Sequence, residues 1–221
     1  MLPHILLASY ALLYILNRFV IKKKELRYVW LGLEIVVIII WGTYHGVKDF
    51  TSFSILFALL TPFIAYLSYY ISLVIVGTKR SKENLIPTGC FKLHPKLNKM
   101  FRKESIDNLY CASLEELLYR WFVQNALYEI SGSALVSIVV STAIFFAIHL
   151  NKKIAIVQMI DIFVFSVIIT LFFHWAINPL YGIVIHIVRN QLIISQKYAF
   201  VQKENEKKAK YLQIVKARKN Q

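Results

Sequence analysis

Glu115 and Glu116 stand side by side in the stretch Ser113-Leu114-Glu115-Glu116-Leu117-Leu118-Tyr119-Arg120, which otherwise reads as apolar helix. Glu116 and Arg120 are four apart and share a helix face, so they can form an ion pair. Glu115 is turned about 100° away and has no cation at a matching spacing. A carboxylate left unpaired in a low-dielectric setting can serve as a general base or acid; the structural alternative is a pair of interfacial glutamates. His149 closes the run Phe145-Phe146-Ala147-Ile148-His149, where it can be a proton carrier or an interfacial anchor. His186 and Asn190, again four apart, put an imidazole and an amide on one face, which must point inward or toward water; the alternative there is interhelical hydrogen-bonding glue. Glu34, Asp161 and Arg189 also fall inside apolar blocks. A charge at the centre of a membrane helix costs at least about 2.5–3.5 kcal/mol, so each of these residues is a functional candidate.

The elements that must position them read as membrane helices. Of the 221 residues 57% are apolar and 17% charged, against about 45–50% and about 25% in a soluble domain. The excess sits in blocks parted by short basic stretches, at about residues 2–20, 29–47, 53–77, 109–130, 133–150, 154–174 and 179–196. The fold class is therefore all-α: a polytopic membrane helix bundle of about seven spans. One membrane domain covers residues 1–202, with the motif core at 109–196, and a basic cytoplasmic tail covers 203–221. The stretch 79–108, with Pro87, Gly89 and Pro95 among basic residues, does not read as one continuous helix. The first residues lack a basic leader and a cleavage site and read as a first span, not a signal peptide. Cys90 and Cys111 are too few for a disulfide scaffold and are expected to be thiols. No internal repeat or glycine-rich phosphate loop occurs.

The charge distribution orients the bundle. The formal charge is +14, but the bases lie in loops beside apolar blocks, where they fix topology and meet anionic lipid; that argues against nucleic-acid binding. Lys22 to Arg27, Lys79 to Lys103, Lys152 and Lys153, and the tail alternate correctly if all are cytoplasmic. The N-terminus is then outside and the C-terminus inside. On that topology Glu115, His149, His186 and Asn190 all fall in the cytoplasmic half, although they come from three spans; His174 falls on the outer side.

Glu115-Glu116-x-x-x-Arg120, Phe145-x-x-x-His149 and His186-x-x-x-Asn190, in that order on separate spans within about 75 residues, resemble the motifs of the CPBP family, the CAAX-protease and bacteriocin-processing (Abi) intramembrane endopeptidases. The resemblance implies that Glu115 with His149 activates a water for attack on a peptide carbonyl. It implies that His186 and Asn190 stabilise the oxyanion, and that Arg120 holds Glu116. The same Glu/His set could ligate zinc; no HExxH occurs, and the metal-free glutamate mechanism is favoured, with no cofactor expected. Eukaryotic members cut prenylated CAAX tails. This chain looks bacterial, and by family analogy its substrate is a bacteriocin-like, toxin-like or pheromone prepeptide, in maturation or self-immunity, with toxin-maturation or transport partners, in the bacterial cytoplasmic membrane. The competing readings are a catalytically silent immunity or regulatory binder on the same fold, and a small transporter using Glu34, Asp161 and the histidines, which would be expected to show repeated halves or broken helices.

Overall fold

The computed structural model describes residues 2–15, 27–45, 48–51, 53–76, 94–150 and 155–219. They are helical, with no strand among them. Helix α1 runs over Leu2–Ile15, α2 over Arg27–His45, the single turn α3 over Lys48–Thr51 and α4 over Ile55–Val76. Next, α5 (Pro95–Glu115), a π-helical segment (Glu116–Gln124) and α6 (Asn125–Ser131) follow one another without a break. Then come α7 (Ala134–His149), α8 (Ile156–Ala176) and α9 (Pro179–Lys219).

Two helices, α4 and α8, are long and apolar enough to cross a membrane. Only 33% of either apolar window is buried inside the protein, and α4 exposes Leu56, Leu59, Phe63 and Val74. An apolar face this continuous suits lipid contact. The apolar stretches Leu2–Leu12, Gly32–His45 and Ala134–His149 are shorter. The spans read at 109–130 and 179–196 are helical, but they carry the charged residues that make up the site.

Local chemistry sets the boundaries. Helix α5 begins at Pro95, inside the stretch 79–108 that was not expected to form one continuous helix. Proline at the first helical position lacks only an N–H that has no intrahelical partner anyway, so Pro95 opens the helix instead of breaking it. Helix α6 ends at Gly132 with φ +63°, a conformation glycine adopts without steric cost. Ser133 then caps α7 through Val136 N. Asn178 Oδ1 accepts from Leu180 N at 2.9 Å at the start of α9. Helix α9 continues to Lys219, so no helix break marks the 202/203 boundary drawn between domain and tail.

The π segment is the centre of the bundle. Leu118, Tyr119, Trp121, Phe122 and Val123 are buried against Leu6 and Tyr10 of α1, Val37 and Trp41 of α2, Phe145 of α7 and Phe173 of α8. Trp41 Nε1 donates to the Trp121 carbonyl at 3.0 Å, which supplies a partner where π winding disturbs the helical ladder. Small polar residues line the helix contacts: Ser137, Ser141, Ser166 and Thr170 are fully buried, as expected where helices approach closely in an apolar medium. Below the π segment, α5 is clasped to α9. Glu104 accepts from Lys197 Nζ and Tyr198 Oη, and burial, reinforced by Glu104, pushes the Tyr198 hydroxyl above its ordinary pKa.

Candidate active site

Glu115 is the last residue of α5, Glu116 the first of the π segment, His149 the last of α7, and His186 lies in the second turn of α9. The fold brings these four ends together. Glu115 Oε2 is 3.8 Å from Nε2 of His149 and 3.8 Å from Nε2 of His186. Both gaps exceed a hydrogen bond, and each is short enough for one water to touch both groups. Glu115 and His149 are each 29% exposed while His186 is 5% exposed, so the cluster has one open side and one buried wall.

Each imidazole is held from behind. His149 Nδ1 lies 2.8 Å from the Phe145 carbonyl. A carbonyl only accepts, so Nδ1 carries a hydrogen and the neutral ring offers its Nε2 lone pair toward Glu115. His186 Nδ1 lies 2.8 Å from Glu116 Oε1. Glu116 is fully buried, and its Oε2 is 3.7 Å from Arg120 Nε. The expected Glu116–Arg120 pair is therefore present as a longer contact, and the shorter bond of Glu116 runs to His186. Arg120 is also fully buried; it donates to Ser166 Oγ at 3.2 Å and lies over the Phe145 ring, 4.4 Å from its centroid. Phe145 thus separates the guanidinium from the histidines, with its ring 4.6 Å from His149 and 6.2 Å from His186. That is a physical role for the aromatic position of the motif.

Asn190 lies one turn beyond His186. Its Oδ1 accepts from Arg189 Nη1 at 3.1 Å, and Arg189 Nη2 binds both oxygens of Asp161, at 2.8 and 2.7 Å. A guanidinium has no acceptor, so this contact fixes which end of the amide is oxygen and leaves Nδ2–H as the free donor end. Arg189 also stacks 4.2 Å from the Phe165 centroid, and Phe165 meets His186 edge-on at 4.9 Å. Asp161 therefore reaches the site through Arg189.

Of the remaining candidates, Glu34 is half-buried on α2 and His174 lines a separate cavity. Cys111 is an exposed thiol, and Cys90 lies outside the described residues. Among the described residues no group of three or more His, Cys, Asp or Glu side chains is arranged to hold a metal ion.

Three contributors escaped the sequence reading. Gly182 packs on the site: a Cβ there would meet Glu116 Oε2 at 3.2 Å. Its spacing of four from His186 was the available signal. Ser166 could have been noticed as a small polar residue within an apolar helix. Phe165 carried no signal that separates it from an ordinary core aromatic.

No curated protein and no solved structure matches the chain. Residues 106–192 match the family model described as Type II CAAX prenyl endopeptidase Rce1-like, a segment that holds every motif residue described above.

Proposed function

We propose that the chain is an intramembrane endopeptidase whose general base is Glu115. The observation that carries this reading is the placement of Glu115 Oε2 at 3.8 Å from the Nε2 atoms of both His149 and His186, with each Nδ1 pinned. A water beside Glu115 and His149 gives up a proton as its oxygen bonds to the peptide carbonyl carbon. As the imidazolium, His186 donates Nδ1–H to Glu116 and Nε2–H toward the oxyanion, and Asn190 Nδ2–H adds a second donor. Collapse of the tetrahedral intermediate breaks the C–N bond, and the proton taken from water passes to the leaving amine. Phe145 and Arg120 hold His149, His186 and Glu116 in register.

The bundle sits in the bacterial cytoplasmic membrane in about seven spans, N-terminus out and C-terminus in, so that the site opens in the cytoplasmic half. The tail of α9 exposes Tyr211, Leu212 and Ile214 among lysines, which suits the inner leaflet. The substrate is a short prepeptide of bacteriocin, toxin or pheromone type, handled in maturation or self-immunity beside toxin-maturation or transport partners.

The test is cleavage by the purified protein in detergent, offered a farnesylated CAAX peptide and the short peptides encoded next to its gene. Glu115→Gln keeps shape and removes the base, so cleavage should fall to background while the protein still inserts. Full activity in Glu115→Gln would sink the mechanism. Activity lost to a chelator and restored by zinc would turn Glu115, His149 and His186 into metal ligands. If Glu115→Gln left immunity to a cognate toxin intact, a silent binder would replace the enzyme.

A further inference from the structure

The corner between α8 and α9 is bent against its own preference. Ile177 sits at φ +58°, ψ −38°, and Asn178 N donates across it to Ala176 O at 2.6 Å. That is a γ-turn of the rare, strained hand. Among the described residues Ile177 is the one non-glycine with positive φ, and for a β-branched residue such a conformation is a true outlier. Its side chain is 52% exposed, so its own packing does not hold it there. A strained residue persists only where its surroundings over-determine it.

The surroundings are α3 and the residues just after it. Asn178 is buried; its Nδ2 donates to Phe50 O at 3.2 Å while its Oδ1 caps α9. Three residues on, Tyr181 Oη accepts from Ser54 N at 2.8 Å and donates to Ser54 O at 3.1 Å. The first turn of α9 is thus tied to Phe50 and to Ser54. The other side of α3 is fixed to the π segment. Asp49 Oδ2 accepts from Trp121 Nε1 at 2.9 Å, and the Phe50 ring meets the Trp121 ring edge-on, centroids 4.8 Å apart. This single turn therefore joins the segment that begins with Glu116 to the helix that carries His186. His186 lies eight residues beyond Asn178, roughly 12 Å along α9. Gly182, halfway between them, packs on Glu116.

We infer that α3 is a strap that sets the position of α9 against the π segment, with Asn178 as the positioning residue that keeps His186 on Glu116. Ile177 supplies the opposing tendency. Once the tie to Phe50 is cut, the corner relaxes toward negative φ and the start of α9 turns. The 2.8 Å contact between His186 Nδ1 and Glu116 Oε1 is then lost. Glycine at 177 removes that tendency, because it takes positive φ without steric cost. The effect on turnover rests on the peptidase reading; the effect on the His186–Glu116 contact does not.

The experiment is a double-mutant cycle at positions 177 and 178. Asn178→Ser keeps a capping oxygen for α9 and is too short to reach Phe50 O. Two quantities are read on the purified protein in detergent. One is the Nδ1–H resonance of His186 in isotope-labelled protein, assigned by its loss in His186→Gln. The other is kcat and KM for the cleaved peptide. Asn178→Ser should shift or broaden the resonance and lower kcat by about tenfold, with KM little changed. In an Ile177→Gly background the same substitution should leave the resonance in place and lower kcat by less than about twofold. General damage to the corner would be as harmful in either background. If Asn178→Ser fails to fold, Tyr181→Phe removes only the hydroxyl on Ser54 and carries the same expectation. An unmoved His186 resonance in both Asn178→Ser and Tyr181→Phe, or equal losses with and without Ile177→Gly, overturns the strap. If the resonance follows the cycle while Glu115→Gln cleaves at full rate, the strap stands and the peptidase mechanism falls.

Discussion

At His149 a backbone carbonyl decides where the mobile proton sits. With Nδ1–H committed to Phe145 O at 2.8 Å, only Nε2 faces the water position beside Glu115, so proton transfer has one direction. His149→Ala removes that acceptor and should bring peptide cleavage close to the level of Glu115→Gln. His186→Ala and Asn190→Ala remove the proposed donors to the oxyanion and should each lower turnover by about 10²–10³-fold, read as kcat on the purified protein. Asp161 is a different case. It touches Arg189, and Arg189 in turn holds the Asn190 oxygen. Asp161→Asn should let the amide turn and lower kcat by about tenfold with KM little changed, since one donor is misaimed and none is removed. A loss as deep as that of Glu115→Gln would make Asp161 a direct member of the site.

At the scale of elements, the contact between α9 and the π segment controls the geometry. Gly182 faces Glu116 Oε2 at the height where that carboxylate turns toward His186. Alanine is the better helix former by about 1 kcal/mol, so Gly182→Ala should leave thermal stability unchanged or raise it. The added methyl at 3.2 Å must push the carboxylate aside by a few tenths of an ångström, and the His186 ring follows. Turnover should therefore fall while the midpoint of thermal unfolding does not, and Gly182→Val should worsen both. Opposite movements of stability and activity separate this from general damage to packing. The same contact shows what could be read in advance. Glu116–Arg120 and His186–Asn190 were legible because a spacing of four places two side chains on one face. The Glu116–His186 bond joins residues 70 apart, and no periodicity records a pairing between helices. The π winding was hidden for a similar reason: Glu116 to Gln124 has the apolar pattern of any buried helix, and the shift in register comes from what Trp41, Tyr10 and Phe145 demand around it. The continuation of helix from Pro95 was missed because proline was weighed as a breaker without regard to its position.

For the whole molecule, the question is how a bundle with two unmistakably apolar helices, α4 and α8, sits in a bilayer. The helices that carry the site are the ones whose charges lower their hydropathy, so any hydropathy criterion counts them last. Their buried carboxylates and guanidiniums are neutralised inside the bundle by Glu116–His186, Glu116–Arg120 and Asp161–Arg189, and this pairing lets such helices span. The orientation proposed above rests on the lysines. In a variant with Cys90 and Cys111 replaced by serine, Lys92→Cys should be protected from a membrane-impermeant maleimide added to intact cells and react once the cells are opened. Ser131→Cys, beside the αL turn at Gly132, should react from outside. The positions are informative together because α5, the π segment and α6 form one unbroken helix from Pro95 to Ser131. Opposite accessibility at the two positions requires that the chain between them cross the membrane with the Pro95 end of this helix toward the cytoplasm. Labelling of both sites from outside, or of neither, would remove the crossing, and with it the argument that the peptide is cut in the cytoplasmic half of the membrane.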